Sequence, residues 1–234
     1  MSEIVRVFIA TDARAMRRAE VALEFSIRRL CSANVAIVFM DKFRNDEVWH
    51  EWNDEKWYTP FSNFRFSVPE VSGFEGRSIY VDVDQLFLRD PLELLNLEIP
   101  KDKGFLALGP YRSDVMVYDN SKFKGDWWPS LQELKSSVNH VGQHLAKMEH
   151  LWAPLPLEWC CNDGGVTNSN QGNKFQTAPY KEGETCLVHY TEMNWQPWKP
   201  YPKKFSYPNH PHQEVARVWW ETYALALEEK LNEN

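Results

Sequence analysis

The sequence predicts one α/β domain with an open sheet, and two observations support this prediction. Near the amino terminus, apolar β-branched runs at residues 5–10 and 34–40 enclose a helical stretch at 13–30. A strand–helix–strand order is typical of a βαβ unit with parallel strands. Further along, an apolar run at residues 79–81 ends in acidic side chains. Open α/β sheets bind ligands at such carboxyl-terminal strand ends.

Each of these first elements has a local reason. The runs at 5–10 and 34–40 are rich in valine and isoleucine, which favour strands. Residues 13–30 include many alanines and arginines but no glycine or proline, which favours a helix. The run at 79–81 follows a glycine-marked turn and is short enough to be a buried strand.

The rest of the chain is predicted from shorter signals. Asp90 and Pro91 suit the cap and the first position of a helix that we expect to end at Leu95. The stretch 212–231 carries a wide apolar stripe, which predicts a long helix. Further strands are predicted at 104–108, 114–118 and 185–190, further helices at 128–135 and 141–150, and loops at 41–60, 162–172 and 191–207.

Length and composition exclude several classes of protein. With 234 residues, 43% hydrophobic and 25% charged, the chain is expected to form a single globular domain. A net charge of −7 and the lack of a basic cluster argue against nucleic-acid binding. No apolar run approaches the roughly 20 residues of a spanning helix, and the amino terminus does not resemble a signal peptide. With four sparse cysteines, expected to stay reduced, these features predict a cytoplasmic protein without a transmembrane segment.

The acidic pair that follows residues 79–81 is the strongest candidate site. Strand side chains alternate faces, so Asp82 and Asp84 are expected to point the same way. Like charges on one face repel, and a divalent cation is the simplest way to offset that repulsion. The alternative is that both acids end a strand and face water. His189, at the end of the late strand, can complete a Mn²⁺ shell, although a lone histidine is more often structural.

Signatures of several other activities are missing from the sequence. It has no G-x-S-x-G nucleophile elbow, no P-loop and no G-x-G-x-x-G fingerprint. Residues 11–18, TDARAMRR, contain no glycine, which argues against a nucleotidyltransferase. Most of the 11 tryptophans are expected in the core, although Trp195 and Trp198 lie close in sequence to other candidate residues.

Five segments, taken in chain order, resemble those of one known family. They are VFIATD, FRFSVPE with GRSIYVDVDQLFLRDPLEL, GPYRSDVMVYDNSKF, LPLEWCCND and HYTEMNWQPWKPY. They resemble conserved segments of the retaining glycosyltransferases of family 8, from the first strand to the H-F-x-G-x-x-K-P-W ending. The likeness spans residues from about 4 to 201. It implies the GT-A fold, a Rossmann-like open mixed sheet flanked by helices, here as a single domain.

The resemblance also implies roles for individual residues. Asp82, Asp84 and His189 would hold Mn²⁺, or Mg²⁺, on the diphosphate of a nucleotide-sugar, where the cation neutralises charge on the leaving group. Arg65 would lie beside the donor's phosphates or hold Asp82. The implied donor-binding residues are Thr11, Asp12, Arg65, Asp82, Val83, Trp198 and Lys199, and the nearest candidate catalytic residues are Asp114, Asn162 and Asp163.

The implied function is transfer of a hexose from a nucleotide-sugar, expected to be UDP-linked, with retention of configuration. The acceptor, whether a glycan, a protein or a small molecule, is not indicated. Residues 1–120 would form the nucleotide-binding half and 121–234 the acceptor-side half. The family's lysine before Pro-Trp is Gln196 here, so a phosphate-binding cation is missing unless Lys199 or Lys203 replaces it. That departure favours an alternative, a non-catalytic nucleotide-sugar- or carbohydrate-binding protein of the same fold.

Overall fold

A computed structural model describes residues 4–44, 46–57, 59, 61–138, 141–164 and 177–232. Contacts divide the chain into two compact units. The first unit comprises Met1–Arg14, Ala33–Asp82 and Leu92–Leu155, and the second comprises Ala15–Ser32, Val83–Pro91 and Pro156–Asn234. Each unit contains one β-sheet.

The strands and helices are numbered in chain order. The strands are β1 Ile4–Ala10, β2 Asn34–Met40, β3 Arg77–Asp82, β4 Gln85–Phe87, β5 Phe105–Ala107, β6 Val115–Asp119, β7 Trp152–Pro154, β8 Cys161–Asn162, β9 Ala178–Pro179 and β10 Leu187–His189. The helices are α1 Ala13–Leu30, α2 Val68–Val71, α3 Pro91–Leu95, α4 Leu131–Ser136, α5 Val141–Met148 and α6 Gln213–Asn232. Within the described ranges, no helix combines the length and the apolar character that crossing a membrane demands.

The sheet of the first unit is mixed, with the strand order β2–β1–β3–β6–β5–β7. Strand β1 is parallel to β2 and β3, which confirms the predicted parallel opening, whereas β6 is antiparallel to β3 and β5. Strands β1, β3 and β6 are buried over most of their length. Burial on both faces explains why these strands appear in the sequence as continuous apolar runs. The predicted α/β class with an open mixed sheet is confirmed.

Strand register brings the candidate residues of the first unit to one edge of its sheet. Ala10, the last residue of β1, pairs with Asp82 at the end of β3 and with Met40 at the end of β2. The Thr11 amide then donates to the Met40 carbonyl at 3.1 Å. The carboxyl ends of three parallel strands therefore meet where Thr11 and Asp82 lie, which is where open sheets of this type bind ligands.

Tryptophan side chains fill the interior of this unit. Trp49, Trp52 and Trp57 pack edge-on against the ring of Phe64, with centroid distances of 5.4, 5.0 and 5.4 Å. These distances lie in the favourable range for aromatic pairs. The predicted loop at 41–60 is therefore irregular but well packed where the structure describes it.

The second unit has a smaller sheet with the strand order β4–β10–β8–β9. Strand β10 is antiparallel to β4 and parallel to β8. Tyr190 follows β10 and ties the sheet to α6, because its hydroxyl donates to the Val215 carbonyl at 2.9 Å. On α6, Trp219 packs against Trp198 and Tyr223 with centroid distances of 5.4 and 5.1 Å. These contacts account for part of the apolar stripe that predicts this helix, whereas Leu225 and Leu227 of the stripe are exposed.

At two places the structure differs from the local argument made from the sequence. Strand β3 ends at Asp82, and Val83 and Asp84 form a turn that leads into β4. Strand alternation therefore does not govern Asp82 and Asp84, and it gives no reason for them to point the same way. Helix α4 begins later than predicted because Ser130 caps it in a capping box with Glu133.

Candidate functional site

The strand ends of the first unit carry the residues that the resemblance assigns to the nucleotide. Thr11 and Asp12 follow β1 and are buried. The Asp12 carboxylate accepts from Arg14 Nε at 3.0 Å and from Arg14 Nη2 at 2.9 Å. The Arg14 guanidinium lies over the Phe43 ring, 3.3 Å from its centroid. Asp12 is therefore neutralised, and a flat arginine–phenylalanine stack lies beside it.

Asp41, which follows β2, fixes the chain near the start of α1. Its carboxylate is buried and accepts from the Ala13 amide at 3.1 Å and from the Phe43 amide at 2.9 Å. The first amides of a helix have no partner within the helix, and a carboxylate there also interacts favourably with the helix dipole. The Asp41 carboxylate therefore fixes the backbone next to Arg14, at Ala13, and the backbone of Phe43 itself.

Arg65 and Asp82 form an ion pair whose side chains are 9% and 14% exposed. Arg65 Nη2 donates to both Asp82 oxygens, at 3.0 and 3.2 Å. Arg65 Nε donates to the Ser62 carbonyl at 2.9 Å, and Nη1 donates to the Ser113 hydroxyl at 2.7 Å. The Tyr80 hydroxyl also donates to Asp82. Asp82 is therefore fixed by one cation and one neutral donor.

The ionisation states of this cluster support one another. Burial opposes the charging of Arg65, but the Asp82 carboxylate beside it raises the pKa of Arg65 above its ordinary value. Burial is also the main reason that the pKa of Tyr80 lies well above its ordinary value. Arg65 therefore stays charged and Tyr80 stays protonated at neutral pH.

Asp114, a predicted catalytic residue, precedes β6 and lies beside Asp82 in the same unit. Its carbonyl accepts from the Asp82 amide at 3.0 Å. Arg112 Nε lies 3.5 Å from Asp114 Oδ1. Asp114 thus lies at the sheet edge where the other candidate residues of the first unit meet, and a contact between it and a sugar stays a prediction.

In the second unit, strand pairing brings together four predicted residues. His189 pairs in register with Asn162 of β8, and the Asp163 amide donates to the His189 carbonyl at 3.0 Å. On the other side of β10, the Tyr190 amide donates to the Asp84 carbonyl at 2.8 Å. Asn162 and Asp163 belong to the predicted loop 162–172, of which residues 165–172 lie outside the described residues.

Asp84 lies beside an imidazole and an amide. Its Oδ1 lies 3.2 Å from His189 Nε2, and its Oδ2 accepts from Gln196 Nε2 at 3.2 Å. Although a ring nitrogen stands beside it, the buried Oδ1 accepts no hydrogen bond from any described residue. A carboxylate oxygen and an imidazole nitrogen placed side by side in this way are suitable ligands for a shared Mn²⁺.

A metal would need further ligands besides Asp84 and His189. The described residues include no group of three or more histidine, cysteine, aspartate or glutamate side chains that could hold a metal ion. Divalent cations of this kind often complete their shell with substrate phosphate oxygens. The Asp84–His189 pair therefore fits a cation that binds together with a phosphate ligand.

Gln196 occupies the position of the family's lysine and is buried. Besides its bond to Asp84, Nε2 donates to the Tyr190 carbonyl at 2.9 Å. Its Oε1 is buried and has no hydrogen-bond partner in the described part of the chain. Gln196 thus gives Asp84 a neutral donor where a lysine would give a positive charge.

Asp163, the last of the predicted catalytic residues, is held by His210. His210 Nε2 lies 3.0 Å from Asp163 Oδ2, while the His212 amide donates to His210 Nδ1 at 3.0 Å. Since Nδ1 accepts, the ring proton is assigned to Nε2 and donated to Asp163. The Thr191 amide donates to Asp163 Oδ1 at 3.1 Å. Both Asp163 oxygens have donors within the unit, which favours an anchoring role.

The remaining residues that are predicted to bind the donor, Val83, Trp198 and Lys199, differ in their exposure to solvent. Val83 is fully buried. Trp198 is also buried, donates from Nε1 to Met16 Sδ at 3.2 Å and packs against Trp219. Lys199 is exposed and lines a groove of the second unit. The geometry gives Val83 and Trp198 packing contacts and leaves only Lys199 accessible to a ligand.

Sequence reasoning missed three features of the site. Arg14 is two positions from Asp12, so its contact could have been suspected from spacing alone. The His210–Asp163 contact joins residues 47 positions apart, and the Gln196–Asp84 contact joins residues 112 positions apart. No local pattern indicates either of these two contacts.

No family model matches the chain, and no curated protein matches it. Among solved structures, the apo glycosyltransferase GlyE of Streptococcus pneumoniae has a TM-score of 0.63 at 17% identity, covering 99% of this chain and 64% of GlyE. The bifunctional glycosyltransferase WbbM has a TM-score of 0.58 at 13% identity, covering 92% of this chain and 51% of WbbM. The galactosyltransferase LgtC, solved with donor and acceptor sugar analogs, has a TM-score of 0.55 at 11% identity, covering 94% and 95%.

These likenesses establish the fold. The chain has the GT-A glycosyltransferase fold, which the resemblance of its segments implies. It spans 51% of the WbbM chain and 64% of the GlyE chain. At 11–17% identity the likeness concerns the fold alone, so a reaction must be inferred from the residues of the site.

Proposed function

We propose that the chain is a metal-dependent glycosyltransferase that transfers a hexose from a UDP-linked sugar with retention of configuration. The observation that carries the proposal is the Asp84–His189 pair, in which the buried Asp84 Oδ1 lies 3.2 Å from His189 Nε2. Asp84 lies just after β3 of a GT-A fold, two residues after Asp82. Ligands of open α/β sheets bind at such strand ends. We also propose a cytoplasmic location, in keeping with the sparse cysteines.

In this proposal Asp84 and His189 hold Mn²⁺, or Mg²⁺, through a carboxylate and an imidazole, and phosphate oxygens of the donor complete its shell. Asp82, which the resemblance makes a third ligand, accepts from Arg65 at both oxygens and is assigned to orientation. The bound cation would supply the positive charge that the departing diphosphate needs. Arg65 is a positioning residue, because it donates to both oxygens of Asp82 and fixes the orientation of that carboxylate.

The nucleotide base would lie beside Thr11 and Asp12 at the strand ends of the first unit. The Arg14 guanidinium, which covers the Phe43 ring, offers a flat cationic surface there. Guanidinium planes stack on aromatic rings and on bases, which supports this placement. Asp114 and Asn162 stay candidates for contacts with the transferred sugar, while Val83 and Trp198 are assigned to packing.

The test is binding of UDP to the whole chain, measured as a thermal shift with and without Mn²⁺. UDP with Mn²⁺ is expected to raise the Tm, because a ligand that binds only the folded state stabilises it by RT ln(1 + [L]/Kd). The double variant Asp82→Asn with Asp84→Asn is expected to lose this shift. Asp102→Asn is the matched control, since that side chain is 78% exposed. A shift retained in the double variant would contradict the metal site.

A second candidate is a binding protein of the same fold that does not turn over its ligand. Gln196 favours it, because a neutral amide contacts Asp84 where the family has a lysine. Release of UDP from UDP-glucose and UDP-galactose, measured with Mn²⁺, separates the two candidates. If UDP binds with Mn²⁺ but no UDP-hexose is hydrolysed or transferred, the enzyme proposal fails and the binding protein remains.

A further inference from the structure

An open groove of about 530 Å³ lies in the second unit, between α6 and the residues around 194–210. Its volume is in the range of sites for small organic ligands. The lining residues that matter here are Trp195, Gln196, Lys199, Tyr207, Arg217 and Trp220.

Aromatic side chains give this groove flat apolar surfaces. Trp220 is 44% exposed, and Trp195 and Tyr207 are partly exposed. Amide side chains also line the groove: Asn194, Asn209 and Gln213. Aromatic faces cover the apolar faces of sugar rings, and amides both donate to and accept from hydroxyls. The combination favours a saccharide over a purely apolar ligand.

The charge of the groove is opposite to that of the chain. The chain has a net charge of −7, yet residues 193–213 include three lysines, two histidines and no aspartate or glutamate. Lys199 lines the groove, is exposed and forms no ion pair with any described residue. Arg217 also lines it but lies 3.7 Å from Glu221. Lys199 therefore supplies the uncompensated positive charge, which is complementary to an anionic group.

The wall of the groove is held in an unusual backbone conformation. Lys199 and Tyr207 have φ angles of 52° and 48°, which non-glycine residues rarely adopt. Such conformations persist only where surrounding contacts enforce them, and they cluster at ligand sites. Here the Tyr207 hydroxyl accepts from the Tyr201 amide at 2.9 Å, and buried His210 anchors the segment to Asp163.

Gln196 connects this groove to a proposed metal ligand. It lines the groove, and its amide donates to Asp84 Oδ2 at 3.2 Å. Its buried Oε1 has no hydrogen-bond partner among the described residues. A ligand in the groove would therefore lie one side chain away from Asp84.

We propose that this groove binds the acceptor, and that the acceptor is a saccharide carrying an anionic group, either a carboxylate or a phosphate. The inference rests on the proposed function, because it names the second substrate of that reaction. An acceptor hydroxyl oxygen bonds to the anomeric carbon of the hexose, and the bond from that carbon to the diphosphate breaks. UDP leaves with the electron pair, and the hydroxyl proton passes to UDP or water. Lys199 thus serves the acceptor rather than the donor diphosphate.

Binding to the whole chain is measured by saturation-transfer NMR, without nucleotide, using glucose, glucuronate and glucose 6-phosphate. The charged sugars are expected to bind more tightly than glucose, and the two charged probes distinguish carboxylate from phosphate. Lys199→Gln is expected to weaken binding of the charged sugars about fivefold and to leave glucose unchanged, the size of one exposed ion pair. Lys203→Gln removes the same charge from a residue that does not line the groove, and its affinity for each sugar is expected to equal that of the parent.

Trp220→Ala is expected to weaken binding of all three sugars by about tenfold, because it removes a stacking surface. In a turnover assay with UDP-hexose, Lys199→Gln is expected to raise the KM of the charged sugar without lowering kcat. Equal affinities of the parent and Lys199→Gln for every probe would overturn the proposal. Displacement of the sugars by UDP would also overturn it and would assign the groove to the donor.

Failure of this inference differs from failure of the proposed function. If UDP binds with Mn²⁺ and none of the sugars binds, the acceptor groove is wrong and the donor site stands. If the charged sugars bind but UDP with Mn²⁺ never does, the glycosyltransferase function fails, and the acceptor role fails with it.

Discussion

Asp82 and Asp84 are two residues apart in sequence, yet the two carboxylates are held in different ways. In the first unit, Asp82 pairs with the guanidinium of Arg65 and accepts the Tyr80 hydroxyl. In the second unit, Asp84 pairs with no lysine or arginine of the described chain. Its neighbours are an imidazole and an amide. Among the described residues, one acid of the pair therefore has an arginine partner and the other has neither an arginine nor a lysine partner.

This difference suggests that the two carboxylates have different roles, one in stability and one in cation binding. A carboxylate held by a buried arginine is fixed in place, and removing either partner exposes the other as a buried charge. A carboxylate without an arginine or lysine partner gains more from a cation supplied from outside. We infer that Asp82 contributes mainly to stability and orientation, and that Asp84 contributes mainly to cation affinity.

The largest expected effect is that of Arg65→Gln. Loss of the guanidinium leaves the Asp82 carboxylate without its counter-charge, so the free energy of unfolding is expected to fall by about 3–5 kcal/mol. Urea unfolding at neutral pH measures it. Arg112→Gln is the control, expected to lose less than about 1 kcal/mol, because Arg112 lies 3.5 Å from Asp114 in a more exposed pair. Equal losses in the two variants would mean that the ion pair does not hold Asp82.

The next effect separates the two acids. Asp84→Asn is expected to weaken Mn²⁺ binding in the presence of UDP about 100-fold, or ~2.8 kcal/mol. Without metal its stability is expected to be unchanged or higher, because it removes a carboxylate that has no arginine or lysine partner among the described residues. Asp82→Asn is expected to lower stability, since Arg65 then lacks its counter-charge. Calorimetric titration and urea unfolding give both quantities, and identical profiles for the two variants would remove the distinction.

The parts of the fold that the sequence predicts well depend on local signals. Helix α1 has the predicted bounds Ala13–Leu30, and β2 has the predicted bounds Asn34–Met40, because the composition of each segment favours its state, although only Met40 of β2 is buried. The turn at Val83 and Asp84 could not be predicted in this way. An apolar strand followed by alternating acids has the same pattern whether the strand continues or ends.

The site was less predictable because its contacts are distant in sequence. The family resemblance supplies Arg65 and His189, which match positions in its motifs. It cannot supply the Gln196–Asp84 contact, since the family has a lysine there. That contact joins residues 112 positions apart and depends on strand pairing and loop packing, which no local pattern encodes.

Gln196→Met tests the hydrogen bond between Gln196 and Asp84, and its expected effect on Mn²⁺ affinity is smaller than that of Asp84→Asn. It removes the donor to Asp84 and to the Tyr190 carbonyl while keeping a similar volume, so the free energy of unfolding is expected to fall by about 1–2 kcal/mol. Mn²⁺ affinity with UDP is expected to fall about tenfold, because Asp84 loses a partner that orients it. Gln132→Met, at an exposed position of α4, is expected to change neither quantity. Full Mn²⁺ affinity in Gln196→Met would show that Asp84 does not need its amide partner.

The smallest expected effect at neutral pH is that of Tyr80→Phe on the Asp82 side. It removes one hydrogen bond to Asp82 while Arg65 keeps that carboxylate paired, so the free energy of unfolding is expected to fall by about 1 kcal/mol. Urea unfolding measures it. A loss as large as that of Arg65→Gln would mean that the hydroxyl, and not the guanidinium, holds Asp82.

The pH dependence of the stability of Tyr80→Phe gives a second test of the burial of Tyr80. Folding raises the pKa of Tyr80 above its ordinary value of 10.0, mainly through burial, so the folded state keeps a proton that the unfolded state releases. The stability that comes from Tyr80 is therefore complete below pH 10 and lost as the pH rises above it. Tyr80→Phe is therefore expected to lose stability less steeply than the parent above pH 10, which urea unfolding at several pH values measures. If the free energy of unfolding falls equally steeply with pH in the parent and in Tyr80→Phe, burial of the Tyr80 phenol beside Asp82 does not raise its pKa.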